Sequence, residues 1–550
     1  MGSLLSTSGL GGGSSGRADV LVIGAGASGS IAVRYLAERG FKVVCLEQGA
    51  WVNPSEYPGD KPEWELLAQK QWHPNPNVRD RQADYPCETS DSDVNPLMFA
   101  AVGGSTLLYA AHWCRQAPSD FRVRTLDGIA DDWPFTYEDL LPYYERVELD
   151  LGVAGLGGDP AYPPSAPPPL PAHPINKMGR TAAKGMNELG WHWWPAPNSI
   201  PTRDHGNMKQ CVRYGTCLTG CPEGAKASYD LAYWPGALAH GARLVTGARV
   251  REITTDDRGR ATGAVWIDRD GAEHHQAADV VVVACNGVGT PRLLRLSSSP
   301  RFPDGLANSS GLVGKRLMMH PYAAIVGLYA DQLDSWLGPS GQTIQSMEFY
   351  ETDTSRGFVR GAKWQVMPTG GPLGMRSGYG GGPVEERWGA NLHRNLREQF
   401  GHSFEWGIIV EDLPEESNYV TLDPTVTDSD GLPAPKIVYR NSDNTREMIR
   451  FNLDRVQEAH DAAGAFRTIV TPLMRDSGWH LLGTACMGAD PVRSVVDEWC
   501  RSHDVPNLYI IDGSVFPTSS GVNPTATISA VALRAVERIV ERAGLQEVPA

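Results

Sequence analysis

The chain has 550 residues and a mass of 59.7 kDa, enough for three or four modules of about 150 residues or for one large α/β enzyme with an inserted domain. Forty-nine Lys and Arg against 64 Asp and Glu leave a formal charge of −15, which argues against a nucleic-acid or anionic-membrane surface as the main partner and suits a cationic or neutral substrate. With 60 Gly and 41 Pro, the chain stays below the share of roughly 25–30% that marks low complexity, so its bulk reads as globular.

Residues 1–16 are mostly Gly, Ser and Leu, with neither the basic region nor the apolar run of a secretion signal; they predict a disordered tail and a cytoplasmic location by default. Nowhere do about 18 apolar residues run together, so no membrane-spanning helix is expected. Residues 17–158 open with a strand, Asp19-Val-Leu-Val-Ile23, followed by the turn GAGASG and a helix with Ile31, Tyr35 and Leu36 on one face that stops at Gly40. A second strand from Phe41 ends at Glu47, eighteen residues after Gly29. This is the order and length of a βαβ dinucleotide-binding unit. Gly24-x-Gly26-x-x-Gly29, with Ser28 inside it, allows a tight turn and a close approach of backbone N–H groups to a pyrophosphate at the positive end of the helix. Glu47 stands where a ribose 2′-OH acceptor belongs, a signature that FAD and NAD share.

Residues 51–95 are polar and rich in Pro, Asp and Trp, without a clear period, and predict an extended excursion or lid. Val102–Arg115 contains a Gly-Gly-Ser-Thr turn, and 137–152 reads as a helix. Residues 159–222 combine a proline-dense strap, 159–174, which excludes helix or central strand, with a cysteine-bearing loop. Apolar segments at 243–253, 262–268 and 279–285 predict that 223–319 returns to the first domain's sheet. Residues 320–475 carry aromatic and β-branched segments between Gly, Pro and Asp turns, as expected of a second, α+β domain on an antiparallel sheet. Residues 476–550 return to the first domain through the strand and turn NLYIIDGS and a helix from about Pro524 to Ala543, ended by Gly544.

Two C-terminal features bear on chemistry. In Gly521-Val-Asn523-Pro524-Thr525, Asn sits at an expected N-cap and Pro at the first helical position; the positive end of that helix would stabilise an anion at the pyrimidine end of a reduced flavin. His480, in GWHLLGTACMG, supplies an imidazole poised near neutral pH. An imidazole and a second polar group, Asn523, beside a flavin are what alcohol oxidation requires.

Taken in order, DVLVIGAGASGS, VCLEQGA, VGGSTLLYAAHWCR, SGLVGKRLMMHP, WHLLGTACMG and NLYIIDGSVFPTSSGVNPTATI resemble the glucose/methanol/choline (GMC) family of FAD-dependent alcohol oxidoreductases, from residue 18 to the C-terminal helix. The resemblance implies an α/β fold with a Rossmann-like FAD-binding domain and a second α+β substrate domain. It implies that Gly24, Gly26, Ser28, Gly29 and Glu47 hold the ADP half, Gly103, Gly104 and Ser105 the pyrophosphate and flavin, Val250 the adenine edge, and Asp512, Gly513, Asn523 and Thr525 the flavin end. By position His480 is the base that takes the hydroxyl proton as hydride leaves for flavin N5, and Asn523 holds the substrate oxygen.

Tyr109, where the family commonly has Asn, is similar to the subgroup that dehydrogenates sugars and sugar acids, and residues 411–439 look like that subgroup's substrate-domain sheet. His112 lies too far beyond Gly103 to match the histidine that pyranose oxidases link to FAD, so a noncovalent flavin is expected. Nine cysteines, odd in number and widely spread, argue against a disulfide framework. Cys211-x5-Cys217-x3-Cys221-Pro222 admits two readings: ligands of a [3Fe-4S] cluster, whose soft iron prefers sulfur, or a loop of free thiols. His320-Pro321 reads as a turn at the domain junction.

The expected substrate is a CH–OH group, a secondary alcohol of a sugar, glycoside, polyol or sugar acid; 16 Trp and 18 Tyr suit stacking on a sugar face. The electron acceptor is a partner protein, a quinone or oxygen, and the subgroup implies small and cytochrome subunits, with periplasmic location only alongside a signal-bearing partner. The alternatives are an aminosugar alcohol oxidase of an antibiotic pathway, a lyase with a non-redox FAD, and an electron-transfer subunit without its own pocket.

Overall fold

The computed structural model describes residues 16–546 apart from Asp80, Gln342 and 374–387. The expected tail, 1–16, lies outside the described residues but for Gly16. Strand β1 (Ala18–Ile23) is buried on both faces, helix α1 (Ala27–Glu38) follows it, and β2 (Val43–Glu47) pairs with β1 in parallel. Strand Arg243–Thr246 extends the sheet beyond β2. On the other side, Glu273–Val283 joins the parallel and antiparallel parts of one seven-stranded sheet. Its C-terminal half runs parallel with β1 and with Leu508–Ile510, and its N-terminal half is antiparallel to Ala261–Ile267. Val281, Val282 and Val283 are fully buried, each worth about 1.5–3 kcal/mol relative to an exposed side chain. The apolar segment at 243–253 breaks at Gly247, whose φ is +67°, into the strands Arg243–Thr246 and Arg249–Thr255.

The second sheet is six-stranded and antiparallel, in the order Arg467–Thr471, Tyr322–Leu328, Ser403–Val410, Ala362–Met367, Ile344–Ser346 and Trp194–Pro195. Alternation decides its two faces. Phe404, Trp406, Ile408, Val410, Ala362, Trp364 and Val366 enter a core closed by helices Asp443–Ala463 and Lys177–Leu189. The opposite face, carrying Lys363, Gln365, Met367, Glu405 and Ile409, turns toward the first domain.

Three elements depart from expectation. Lys177–Leu189 is a helix within 159–222, just after the proline-dense strap: Asn176 caps it, Gly190 ends it in a left-handed turn, and Met178, Ala182 and Met186 repeat at four-residue spacing. Residues 411–439 do not enter the six-stranded sheet. Tyr419–Thr427 and Pro433–Val438 form a separate hairpin because Val420, Ile437 and Tyr439 are buried with Val288 and Leu317 instead. The C-terminal helix runs Thr525–Gln546, through Gly544 rather than ending there. Among the described residues, no helix is long and apolar enough to cross a membrane.

Candidate active site

The turn after β1 explains its glycines sterically. Gly24 adopts φ +101°, and a Cβ there would lie 2.4 Å from the carbonyl oxygen of Ala284; on Gly29 it would lie 1.9 Å from that of Gly24. Gly26 has nothing closer than Gly104 Cα at 4.0 Å, so the backbone between β1 and α1 stays open to a ligand. Gly103 N donates to Ala25 O at 2.8 Å, which joins the second glycine turn to the first. Glu47, at the end of β2, accepts from Ala25 N and Gly49 N, both at 2.8 Å, and burial pushes its carboxyl up to about 7.

A cavity of about 970 Å3 runs from this turn to the C-terminal segment. Gly24, Gly26, Ser28, Glu47, Gly104, Ser105, Val250, His480, Asp512, Gly513, Asn523 and Thr525 all line it, although they are spread over most of the chain. Gly29 and Gly103 are not on its wall and act through backbone packing. Asp512 accepts from Asn286 N, Thr290 Oγ1 and Ser514 N; it ties the strand Leu508–Ile510 to the helix Asn286–Leu296.

At the far end, His480 Nδ1 lies 2.7 Å from His320 Nδ1, the rings at 82°. His320 Nε2 lies 3.1 Å from the carbonyl oxygen of Ser519. A carbonyl only accepts, so His320 carries its proton on Nε2 and offers a lone pair at Nδ1. His480 must then donate from Nδ1, which leaves the lone pair of His480 on Nε2, away from His320. A backbone carbonyl thereby sets the tautomer of two rings in series. Burial, with His320, Lys363 and His112 adding to it, holds His480 well below the usual imidazole range, so at neutral pH the ring is neutral, with its one proton on Nδ1. His320 is likewise lowered by burial, to about 4.

Asn523 does not cap the last helix. The carbonyl of Pro524 receives the helix's first bond, from Ile528 N at 2.8 Å, while Asn523 Oδ1 accepts from the fully buried Lys363 Nζ at 2.6 Å. With its oxygen taken, the Asn523 amide has its NH2 left to donate. Lys363 Nζ also lies 3.3 Å from Cys114 Sγ. His112 sits near Asn523 and Gln365 without a hydrogen bond of good geometry to either.

Two family models described as GMC oxidoreductase match residues 18–322 and 414–532. The chain belongs to the GMC oxidoreductase family. It is an FAD-dependent enzyme acting on CH–OH groups. It is 42% identical over 543 residues to the 2-methyl-1,2-propanediol dehydrogenase of Mycolicibacterium austroafricanum, covering 96% of both chains. It is 32% identical to the 6'''-hydroxyparomomycin C oxidase of Streptomyces lividus, covering 94% of this chain and 90% of that one. It is also 29% identical to the fructose dehydrogenase large subunit of Gluconobacter japonicus, over 95% and 98%.

The GMC cavity fits FAD on its own geometry: an open Gly26 against Gly104, a carboxylate pinned by two backbone N–H groups, and a polar far end at His480 and Asn523. A pair of variants separates fold from cofactor here. Gly29→Ala is expected to cost about 3 kcal/mol or more by overpacking and to lower both melting temperature and bound flavin. Gly26→Ala meets nothing within the chain, so a near-normal melting temperature for the apoprotein with poor FAD retention is expected; equal FAD-to-protein ratios in wild type and Gly26→Ala would count against the turn as the pyrophosphate site.

Sequence reasoning named His480 and Asn523, which the structure brings to one end of the cavity, and named neither Lys363 nor the ring of His320. The His320 backbone does turn, with φ +50°, yet its ring faces His480. No local signal marked Lys363: in Ala362–Met367 the residues Ala, Trp and Val alternate with Lys, Gln and Met, a pattern that ordinarily turns the lysine to solvent, and only the packing of the second face against the first domain buries it. Cys211, Cys217 and Cys221 surround a cavity of about 20 Å3. Among the described residues no three His, Cys, Asp or Glu are placed to hold a metal ion, and Lys226, buried beside the loop, gives its ammonium to the carbonyls of Leu107, Tyr109 and Cys217.

Proposed function

We propose that this enzyme oxidises a secondary alcohol of a sugar, glycoside, polyol or sugar acid to a carbonyl, with His480 as base and Asn523 as the holder of the substrate oxygen. The observation that carries this reading is the proton order of the histidine pair. It leaves an unprotonated Nε2 on His480 in a cavity that also contains an amide whose oxygen is taken by Lys363. The hydroxyl proton goes to His480 Nε2, and the oxygen, as negative charge grows on it, accepts from the Asn523 amide. FAD supplies the acceptor for the hydride that leaves carbon. The proton moves onto a ring whose other nitrogen is already bonded to His320, so the imidazolium is held in place when it forms.

The test is anaerobic mixing of the holoenzyme with diols, sugars, glycosides and aminosugars while flavin absorbance is followed. Bleaching by a CH–OH donor is the expected result. Full absorbance with every alcohol would favour the lyase or the electron-transfer subunit, neither of which draws electrons from an alcohol in this pocket. A second reading, oxidation of an aminosugar hydroxyl, is supported by the likeness to the paromomycin oxidase and by a buried carboxylate, Glu405, on the cavity wall.

FAD is read as noncovalent, so acid precipitation should release it to the supernatant. The cysteine loop is read as three free thiols, a reading that iron and acid-labile sulfide in the purified protein would overturn. The acceptor is a partner protein, a quinone or oxygen; comparing turnover with dioxygen, a soluble quinone and cytochrome c separates them. A cytoplasmic location belongs to the same reading and is checked by cell fractionation.

A further inference from the structure

The cavity wall carries a polar station that the oxidation chemistry leaves unused. Glu405, Gly407 and Ile409 stand on the cavity face of Ser403–Val410. The register sets them opposite Met367, Gln365 and Lys363 respectively on one neighbouring strand, and Ile409 opposite Tyr322 on the other. Tyr322 Oη donates to Glu405 Oε1 at 2.6 Å. It reaches that oxygen by lying over Gly407, where a Cβ would come within 1.7 Å of the phenol oxygen. Any side chain at 407 would close the path, so the sheet is built around this pair.

Glu405 is 3% exposed and lines the cavity. Among the described residues, no Lys, Arg or His forms an ion pair with it, and its second oxygen takes no hydrogen bond. A buried carboxylate without a cation is costly, and burial raises this one to about 7. Beside it the wall carries Met367, Ile409 and Met474 together with the amide of Gln365, whose Nε2 donates to Met367 Sδ at 3.1 Å. A few placed polar groups in a largely apolar wall are the usual means by which a pocket orients a ligand. Its distance from the chemistry follows from the register. Lys363 touches Asn523, and Met367, opposite Glu405, is four residues further along the strand, about 14 Å at the usual rise. Glu405 is therefore not placed to take the hydroxyl proton.

We propose that Glu405, aimed by Tyr322 across Gly407, is a substrate subsite that accepts a hydrogen bond from a second polar group, a hydroxyl or a protonated amine, of the alcohol oxidised at His480. The inference rests on the alcohol-oxidation reading above and narrows it. Glu405 Oε1 already accepts from Tyr322, so the pair presents acceptor capacity to the cavity. Where Glu405 is ionised, above about pH 7, a substrate carboxylate at this end is repelled, which disfavours sugar acids. A substrate that uses the subsite is longer than a simple diol, because its second donor lies several bonds from the carbon that loses hydride.

The experiment compares wild-type holoenzyme with Glu405→Gln and Tyr322→Phe, using 1,2-propanediol, maltitol and paromamine as probes. Propanediol reaches only the His480 end, maltitol offers remote hydroxyls, and paromamine offers remote ammonium groups. In Glu405→Gln, KM for maltitol should rise about tenfold and KM for paromamine about a hundredfold, as expected for losing a neutral and a charge-assisted hydrogen bond. KM for propanediol and the flavin-reduction rate at saturation should not change. Tyr322→Phe should move the same KM values in the same direction by less. A rise for maltitol that exceeds the one for paromamine identifies the donor as a hydroxyl, and a rise for paromamine with maltitol unchanged identifies it as an amine. Unchanged KM for both long probes, a propanediol KM that rises in step with them, or failure of both to bind the wild type overturns the subsite. If no alcohol bleaches the wild-type flavin, the oxidation reading fails. Calorimetric titration of paromamine and maltitol into the two holoenzymes then decides the subsite alone, equal affinities refuting it.

Discussion

His480→Ala is expected to slow anaerobic flavin reduction by an alcohol by on the order of 10^3-fold, within the range that a positioned general base contributes, while bound FAD stays at the wild-type ratio. The reason is the proton. A carbinol O–H does not ionise unaided at neutral pH, and carbon releases hydride readily only as negative charge builds on its oxygen. Of the neutral imidazoles at this end of the cavity, His112 has both ring nitrogens sealed from the cavity space, which leaves the lone pair on His480 Nε2 to receive that proton. His320 shares a proton with His480 and gives its other nitrogen to Ser519 O; Lys363 and the Asn523 amide are donors. Because burial keeps His480 below the ordinary imidazole value, the acid limb of kcat/KM in the wild type should lie at a pH lower than about 6.5, and it should vanish in the variant. Stopped-flow reduction at several pH values measures both. A rate within tenfold of the wild type would remove His480 from the role of base.

Lys363→Met should slow flavin reduction about 10- to 100-fold, since it leaves Asn523 Oδ1 without its charge-assisted donor. The more diagnostic effect is on pH. The ammonium of Lys363 is one of the groups that lower His480, so its removal raises the imidazole toward its ordinary value. The acid limb of kcat/KM should therefore move to higher pH, and the loss should be greater at pH 6 than at pH 9. Asn523→Ala and Lys363→Met should be strongly non-additive, because once the amide is gone Lys363 has nothing at that position to orient. Additive losses with an unmoved acid limb would reduce Lys363 to a packing residue.

The His480 and Asn523 segments were legible for different reasons. Asn523 precedes Pro524 at a helix start, a local pattern, but the inference that it caps the helix fails because a ligand stronger than its own backbone is near: Lys363, 160 residues away in sequence. His320 was read from its neighbour Pro321 as a turn, which accounts for its backbone but not for its ring. The helix Lys177–Leu189 carried its cap, its terminal glycine and its apolar spacing in plain view, and was obscured by the prolines before it. The hairpin Tyr419–Val438 has strand-like alternation that is correct locally. Nothing in alternation alone says which sheet a strand joins, and burial against Val288 and Leu317 decided it.

By itself the sequence determined what local physics determines. A buried strand, a turn that only glycines can make and a helix start lie within a few residues of one another, so β1, the Gly24–Gly29 turn, α1 and Glu47 were readable as one dinucleotide unit. The tertiary structure decided the proton order of His480 and His320, the orientation of the Asn523 amide and the meeting of Tyr322 with Glu405. Each depends on strand register or on a backbone carbonyl brought in from far along the chain, and one residue of slippage in an antiparallel pair would turn Lys363 and Glu405 from the cavity into the core.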